Sequence, residues 1–352
     1  MHASDTAPIR PEERFDEEAV ATYLRDHLPE RVGRDGDIAF DQFPGGAANL
    51  TYRAITEGGE YVLRRAPLGE VAAGAHDMTR EFQVLSQLWR AFPKAPRAYH
   101  LCEDGSVMGK PFLVMERRHG WVIRSEWPRA WASDDAAIRN VLATDLVTTL
   151  GELHLVDPDT VDLGRLGRPD GFVARQVAGW RARWEAAQTR HVDDLDAVSG
   201  MLETSLPEPQ AAALLHNDYK LDNTMVGGGG EVVAVFDWDM ATLGDPLVDF
   251  GTLLAYWPDP DSPTYPVFGE RAVALAPYLS KSDARRIYAR VTGFDVSGIE
   301  FYEGLALYRI AVIIEQIYAR YAAGQTTDER FARFEPVAPL LGAAARRTLE
   351  TR

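Results

Sequence analysis

The sequence predicts an α+β protein in which a small, β-rich lobe is followed by a larger, mainly helical lobe. Short segments rich in β-branched and aromatic residues fill the first third of the chain, and stretches with helical spacing of apolar residues fill most of the remainder. A chain of 352 residues is long enough to give each lobe its own core. We expect residues 1–116 to form the first lobe and residues 117–352 the second.

The first lobe is predicted to contain a small five-stranded antiparallel sheet and one long helix. The helix runs from about Asp77 to Ala91, because apolar side chains recur there at helical spacing. A shorter helix is expected at about Glu17–His27, and glycine turns separate the first three strands. The predicted strands are Ile38–Phe43, Leu50–Ile55, Glu60–Arg65, Arg97–Leu101 and Phe112–Glu116.

The second lobe is predicted to be helical apart from one hairpin. Thr224–Val226 and Val232–Phe236 form that hairpin, joined by the glycines at 227–230. The predicted helices are Asp134–His154, Gly171–Ala187, Pro246–Tyr256, Ser282–Val291, Ile299–Ala323 and Glu329–Arg347.

Composition and charge exclude several classes of function. The formal net charge of −16 argues against a nucleic-acid-binding surface, which needs a large basic face, although it is compatible with a cationic substrate. Cys102 is the single cysteine, so the chain can form no internal disulfide and no cysteine-rich metal site. The polar, acidic N-terminus and the lack of a long apolar stretch predict a cytoplasmic protein without a membrane span.

The strongest chemical signal is the run from Leu214 to Asn223, followed after the hairpin by Phe236-Asp237-Trp238-Asp239. Phosphoryl transfer from ATP needs a carboxylate that takes the acceptor proton, oxygen ligands for magnesium, and a cation near the transferred group. Asp218 and Asn223 lie five residues apart on one loop, and the hairpin returns Asp237 towards Asn223. The spacing therefore predicts Asp218 facing the acceptor, with Asn223 and Asp237 as metal ligands.

This pattern resembles the H-R-D-L-x-x-x-N and D-F-G motifs of protein kinases, and more closely the H-G-D-x-x-x-x-N motif of the aminoglycoside phosphotransferase and choline kinase-like family. The resemblance implies a protein-kinase-like two-lobe fold with ATP and Mg²⁺ as cofactors. It implies that Asp218 is the catalytic base, that Asn223 and Asp237 are metal ligands, and that His216 organises the loop. Lys220 would contact the γ-phosphate. Asn217 stands where that family usually has glycine.

Nucleotide contacts are predicted in the first lobe. Small residues between the first two strands, Gly45, Gly46 and Asn49 among them, allow backbone N–H groups to approach phosphates. Kinases usually carry a phosphate-binding lysine on the third strand, but no lysine precedes Lys94 here. We expect Arg64 to replace it, with Glu81 as its ion-pair partner.

Two further predictions concern the neighbourhood of these motifs. The apolar run ending in Met115, Glu116 and Arg117 suits a hinge between lobes whose backbone groups bind adenine. Asp245 and Asp249 begin a helix after the metal loop, and we assign both to structure: Asp245 as a cap and Asp249 as a brace for the catalytic loop.

The resemblance extends over roughly residues 36 to 335. Within the family, the sequence is similar to a subgroup that is also found fused to acyl-CoA dehydrogenase domains. Runs that carry it include Gly151-Glu152-Leu153-His154, Arg175-Gln176 and Tyr308-Arg309-Ile310-Ala311. Residues 117–131 hold four arginines, one glutamate and three tryptophans, a local charge of +3. If this segment lines the cleft, an anionic acceptor such as a hydroxyacyl-CoA fits it better than an aminoglycoside; the alternative is an ordinary surface with inward-packed tryptophans.

Three functions remain open at this point. An active kinase that phosphorylates a hydroxyl of a small molecule is the main hypothesis, and its acceptor is an acyl-CoA-type metabolite, an amino alcohol, a sugar or an aminoglycoside. The missing strand lysine instead favours a non-catalytic nucleotide-binding pseudokinase module. A protein kinase is disfavoured, because the chain passes directly from Asp237 to Gly244-Asp245-Pro246 without an Ala-Pro-Glu-like signal.

Overall fold

A computed structural model describes residues 5–44, 49–68, 78–124, 126–131, 135–257, 275, 278–326 and 328–351. The chain forms two compact units, Met1–His119 with Ala234–Ala241 and Gly120–Val233 with Thr242–Arg352. The first unit contains an antiparallel sheet and the second is mainly helical, which confirms the predicted α+β class. Among the described helices, none has the length and apolarity needed to cross a membrane.

The first unit is built on a five-stranded antiparallel sheet with the order β1-β2-β3-β5-β4. The predicted strands are confirmed to within one or two residues at their ends. The strands are β1 (Ala39–Gln42), β2 (Leu50–Thr56), β3 (Gly59–Arg65), β4 (Ala98–Cys102) and β5 (Phe112–Glu116).

Helices cover this sheet, because the apolar side chains on its strands are buried by packing against apolar side chains of the helices. Val20 and Leu24 of the first helix are buried in one core with Tyr52, Leu63 and Phe112 of the strands. The third helix packs against β4 and β5. The helices of the first unit are α1 (Glu17–His27), α2 (Pro29–Val32), α3 (Met78–Leu85) and α4 (Gly105–Met108).

The predicted long helix to Ala91 is wrong at its C-terminal end. α3 ends at Leu85, and Trp89 lies in a separate 3₁₀ turn, Leu88–Arg90. The amides here bond to carbonyls three residues back, as in Gln87 N to Val84 O at 3.1 Å, so the chain tightens before Pro93. Asp77, the predicted start, lies outside the described residues.

The second unit is organised around two buried helices. Every residue of α8 (Leu247–Ala255) is buried. The long helix α10 (Ile299–Ala322) packs against α8, α6 (Phe172–Ala187) and α11 (Val337–Glu350). Such burial explains why α8 carries almost only apolar residues, with Asp249 as its one charged residue. The helices are α5 (Ala136–His154), α6 (Phe172–Ala187), α7 (Asp193–Thr204), α8 (Leu247–Ala255), α9 (Lys281–Thr292), α10 (Ile299–Ala322) and α11 (Val337–Glu350).

Three details of this unit differ from the sequence predictions. The helix α7 was not predicted. The helix predicted at Glu329–Arg347 is divided into a 3₁₀ segment, Glu329–Phe334, and α11, because Pro336 between them has no N–H to continue the ladder. A second strand pair is also present. β6 (Ala213–Leu215) pairs with β9 (Thr242–Gly244), in addition to the predicted hairpin of β7 (Thr224–Val226) and β8 (Val232–Val235).

Candidate active site

The loop between β6 and β7 brings together Asp218 and Lys220, which were predicted as catalytic residues, and Asn223, which was predicted as a metal ligand. Asp218 Oδ2 accepts hydrogen bonds from Lys220 Nζ at 2.6 Å and from Asn223 Nδ2 at 3.0 Å. Asn223 Nδ2 also donates to the main-chain oxygen of Asp218 at 2.9 Å. A 3₁₀ turn at Leu221–Asn223 makes this possible, since it folds the chain back before β7 begins.

Lys220 remains a cation beside Asp218. Burial alone would lower the pKa of Lys220, but the nearby Asp218 carboxylate and Tyr256 outweigh that effect and hold the pKa above its usual value. The Lys220 Nζ also lies 5.0 Å from the centre of the Tyr256 ring. The loop therefore presents a carboxylate and a fixed positive charge within hydrogen-bond distance of each other.

The backbone at Asn217 has a conformation that suits glycine, the residue expected here from the resemblance. Asn217 has a φ of +67°, in the left-handed region that glycine adopts without strain. Asparagine is among the few other residues that tolerate this region. The departure noted in the sequence is therefore compatible with the same loop conformation.

Buried side chains brace this loop through its backbone. The Asp249 carboxylate accepts from the N–H groups of His216 at 2.6 Å and Asn217 at 2.8 Å, which confirms the bracing role predicted for Asp249. His216 Nδ1 in turn accepts from the N–H of Asp218 at 3.2 Å. Tyr219 donates its hydroxyl proton to the Leu146 carbonyl at 2.8 Å, which ties the loop to α5.

Asp249 is itself held by a second histidine. Since an ionised carboxylate can only accept, His154 donates from Nε2 to Asp249 Oδ2 at 3.4 Å, and its Nδ1 shares a hydrogen bond of 2.6 Å with the Tyr288 hydroxyl. Burial alone would raise the pKa of Asp249, but the contacts with His154 and His216 hold it below its usual value. Asp245 also has the structural role predicted for it, accepting from Leu247 N at 3.0 Å and from the Tyr302 hydroxyl at 2.6 Å.

A second cluster of predicted site residues lies in the first unit. Arg64 of β3 forms an ion pair with Glu81 of α3, with Nε and Oε2 2.9 Å apart, so the predicted partner is correct. Arg64 Nη2 also contacts Asp237 Oδ1. Burial raises the pKa of Glu81 to about 7, although Arg64 acts in the opposite direction. The pKa of Arg64 is raised, because Glu81 and Asp237 outweigh the effect of burial.

Arg65 occupies the opposite face of β3, as the alternation of a strand requires. It is 1% exposed, and its guanidinium donates to the Glu13 carbonyl at 2.6 Å, to the Tyr52 hydroxyl at 2.8 Å and to the Met108 carbonyl. Arg65 is thus part of the core of the first unit, whereas Arg64 belongs to the charged cluster.

The segment that carries Asp237 is bound firmly within the first unit. Val235 N donates to the Lys94 carbonyl at 2.8 Å, and Arg80 Nη1 donates to the Ala241 carbonyl at 2.8 Å. Trp238 is fully buried and donates from Nε1 to the Val235 carbonyl at 2.8 Å. Asp237 has a φ of +72°, so its carboxylate is presented from a backbone conformation that few residues other than glycine adopt.

The structure describes four of the six remaining residues that were predicted to contact the nucleotide. Gly45 and Gly46 lie outside the described residues, and Asn49 is buried directly before β2. Met115 is buried in β5, and the N–H of Glu116 donates to the Arg97 carbonyl at 2.9 Å. The guanidinium of Arg117 lies 4.8 Å from the centre of the Phe43 ring and contacts Asp5. The assignment of these residues to nucleotide binding stays a prediction.

The basic, aromatic segment 117–131 divides into parts with different surroundings. In the first unit, Arg118 pairs with Glu116 at 3.0 Å, as Arg117 does with Asp5. In the second, Trp121 exchanges two backbone hydrogen bonds of 2.9 Å with Val226, three residues after Asn223. Trp131 is buried and stacks on Trp127 with ring centres 5.8 Å apart. Trp121 therefore lies beside β7, the strand that follows the Asp218 loop. Trp131 packs inward, whereas Trp121 and Trp127 are half-buried.

The donor atoms of two residues suit magnesium. Asn223 uses its amide nitrogen on Asp218, which leaves its carbonyl oxygen as a ligand. The Asp237 side chain is 27% exposed, which allows a bound ion to keep waters, as magnesium commonly does. Within the described part of the chain, no group of three or more His, Cys, Asp or Glu residues has metal-binding geometry. Kinase magnesium sites need fewer protein ligands, since phosphates supply the others.

Sequence reasoning missed the buried residues that support the catalytic loop. His154, Tyr219 and Arg309 all contact it or its brace, yet each is an ordinary core or loop residue in the sequence. His154 and Arg309 lie within two of the runs that carry the family resemblance, and that was the one available signal.

The fold and these residues define a protein-kinase-like phosphotransferase. The chain belongs to the APH group, described as the phosphotransferase enzyme family, whose model matches residues 39–283. A Ralstonia eutropha protein, provisionally assigned as an aminoglycoside phosphotransferase, has a similar structure with a TM-score of 0.80 and 27% identity over 96% of this chain and 99% of its own. The aminoglycoside phosphotransferase APH(4)-Ia, solved with ADP and hygromycin B, shares the fold with a TM-score of 0.57 and 16% identity, covering 93% of this chain and 99% of its own.

Curated relatives are longer proteins. Acyl-CoA dehydrogenase family member 11 of Mus musculus is 31% identical over 99% of this chain and 45% of its own length. The human member 11 is 28% identical over 93% of this chain and 42% of its own length. The chain therefore spans less than half the length of these relatives.

Proposed function

We propose that this protein is an ATP-dependent kinase that transfers the γ-phosphoryl group to a hydroxyl of a small molecule. The observation that carries the proposal is the arrangement of Asp218, Lys220 and Asn223 on one braced loop, within hydrogen-bond distance of one another. In a chain of the phosphotransferase family, this loop would supply the carboxylate, the cation and a metal ligand for phosphoryl transfer.

Asp218 acts as the base in this proposal. Its Oδ2 is occupied by Lys220 and Asn223, while Oδ1 makes no hydrogen bond to the described residues and the side chain is 23% exposed. Oδ1 would orient the acceptor hydroxyl and take its proton as the oxygen attacks the γ-phosphorus. Lys220 would offset negative charge on Asp218 and on the transferred group.

Asn223 and Asp237 are the proposed magnesium ligands, through the Asn223 carbonyl oxygen and the Asp237 carboxylate. Magnesium, when bound with ATP, supplies charge neutralisation of the phosphates. Arg64 would replace the usual lysine as a phosphate-binding cation, because the ion pair with Glu81 fixes its guanidinium on β3. Backbone groups at Gly45, Gly46 and Asn49 would contact phosphates, and those at Met115–Arg117 would contact adenine.

For the acceptor we propose a hydroxylated acyl-CoA-type metabolite. The curated relatives bear acyl-CoA dehydrogenase in their names, and this chain is similar to part of them. Arg124 and Arg129 are exposed on the part of the segment that follows Trp121, and their charge suits an anionic acceptor better than a cationic aminoglycoside. A cytoplasmic location, where ATP and acyl-CoA esters are present, fits this proposal.

The non-catalytic module is the second candidate, and the absent strand lysine is the observation that favours it. Arg64 weakens that case, because it carries the positive charge at the corresponding place and pairs with Glu81. A module that only binds nucleotide has no need of Asp218 held by Lys220 and Asn223.

The proposal is tested by measuring Mg²⁺-dependent ADP formation with a panel of hydroxyacyl-CoAs, amino alcohols, sugars and aminoglycosides. We expect one acceptor class to stimulate turnover, and hydroxyacyl-CoAs to be that class. Asp218→Asn is the control and should remove the stimulation. Nucleotide binding without turnover for any acceptor would favour the non-catalytic module.

A further inference from the structure

The peptide group that joins Asn217 to Asp218 is held at both ends. Its N–H, which belongs to Asp218, donates to His216 Nδ1 at 3.2 Å. Its carbonyl, which belongs to Asn217, accepts from Arg309 Nη2 of α10. This peptide directly precedes the α-carbon of Asp218, so its orientation determines where the proposed base points.

Arg309 is a buried arginine that bonds to the backbone of the loop that carries Asp218. It is 7% exposed, and within the described part of the chain no Asp or Glu forms an ion pair with it. Buried arginines are normally paired with carboxylates, because an unpaired charge is costly in the interior. Here a backbone carbonyl of the catalytic loop is the hydrogen-bond acceptor of the buried guanidinium.

The aromatic residue beside Arg309 restricts where the guanidinium can lie. The Trp180 ring of α6 has its centre 5.7 Å from the guanidinium carbon, within the range of cation–π attraction. Trp180 is fixed in turn, since it donates from Nε1 to Gln176 Oε1 at 3.2 Å. All three residues line one small cavity. Two helices thereby cooperate to hold one guanidinium against the loop.

We propose that Arg309 is a positioning residue that fixes the Asn217–Asp218 peptide, and with it the direction of the Asp218 carboxylate. The catalytic part of this inference rests on the proposed kinase function. The left-handed backbone at Asn217 makes such support necessary, because a non-glycine residue with φ of +67° persists when its surroundings hold it there.

The test compares two variants. Arg309→Met removes the hydrogen-bond donors but keeps a side chain of similar length, and Arg309→Lys keeps the positive charge and one donor nitrogen. Arg175→Met is the matched control, since Arg175 of α6 also donates to backbone carbonyls, those of Asp170 and Arg168, on the surface. Hydrogen exchange of peptides covering residues 214–221 and α10 is measured by mass spectrometry. Mg·ATP turnover is measured with the acceptor that the panel identifies, or as basal ATP hydrolysis.

We expect Arg309→Met to speed amide exchange in residues 216–219 by about tenfold or more, with exchange in α10 unchanged. It should lower kcat by about 100-fold and leave KM within about threefold, because a misdirected base slows chemistry more than binding. Arg309→Lys should recover part of both losses, and Arg175→Met should match the unmodified protein.

Two results would overturn the inference. Exchange of the loop and kcat at the unmodified level in Arg309→Met would mean that Arg309 does not fix the peptide. An unchanged kcat with a raised KM for the acceptor would make Arg309 a binding residue of the cavity instead. If the unmodified protein shows no turnover at all, the kinase proposal fails, and the exchange experiment alone still decides whether Arg309 holds the loop.

Discussion

The charged cluster of the first unit and the catalytic loop of the second are fixed in different ways. Arg64, Glu81 and Asp237 are held by contacts between their own charged side chains. The loop around Asp218 is held mainly through its backbone, by Asp249, Tyr219 and Arg309. Substitution in the cluster should therefore change nucleotide affinity, whereas substitution of Asp218 or of the residues that support its loop should change turnover or folding.

The largest expected effect is that of Asp218→Asn. The amide keeps the size of the side chain but cannot take a proton from the acceptor, so kcat should fall by about 10³-fold or more. Steady-state kinetics with the identified acceptor measure this loss. Transfer at the unmodified rate would remove Asp218 as the base.

The brace of the loop should matter for stability as well. Asp249→Ala leaves the buried N–H groups of His216 and Asn217 without their acceptor, and we expect it to lower the free energy of unfolding by about 3 kcal/mol. Chemical denaturation measures the change. The control is Asp283→Ala, which removes a capping-box carboxylate at the start of α9 and should cost only about 1 kcal/mol. Equal losses of unfolding free energy would mean that the buried hydrogen bonds of Asp249 contribute no more to stability than a helix cap does.

Two neighbouring arginines of β3 are predicted to have different roles, Arg64 in nucleotide binding and Arg65 in folding stability. Arg64→Ala should weaken Mg·ATP binding by about tenfold or more, because a phosphate-binding cation is lost. Arg65→Ala should leave affinity within about threefold but lower the melting temperature by several degrees, since a buried guanidinium with three acceptors is removed. Calorimetric titration and thermal unfolding measure the two effects, and the reverse order of affinities would contradict the assignment.

The last expected effect is a pH dependence of stability due to Glu81. Its pKa is about 7 in the folded protein and 4.5 in its ordinary state, so the folded protein binds a proton between these pH values that the unfolded chain does not. The free energy of unfolding should therefore fall as pH rises from 4.5 to 7, by up to about 1 kcal/mol per pH unit. Glu81→Gln should remove this component, and identical pH profiles for both proteins would exclude it.

The same comparison shows what the sequence could predict. Arg64 and Glu81 could be paired because strand alternation and the absence of an earlier lysine left few candidates, and the strand bounds followed from periodicity and glycine turns. The short strands β6 and β9 could not be predicted, because each has only three residues and, unlike β7, neither is joined to its partner by a glycine turn. The contact of Arg309 with Asn217 joins residues far apart in the chain through a backbone carbonyl, which no side-chain pattern records.

The central claim is that the cluster binds the metal–nucleotide complex while Asp218 performs the chemistry. The most direct test is calorimetric titration of ATP, with Mg²⁺ and with EDTA, into the unmodified protein, Asp237→Ala and Asp218→Asn. We predict that Asp237→Ala loses the gain in affinity that Mg²⁺ confers, whereas Asp218→Asn binds Mg·ATP within about threefold of the unmodified protein. Retention of the Mg²⁺-dependent gain in Asp237→Ala, together with its loss in Asp218→Asn, would contradict the account.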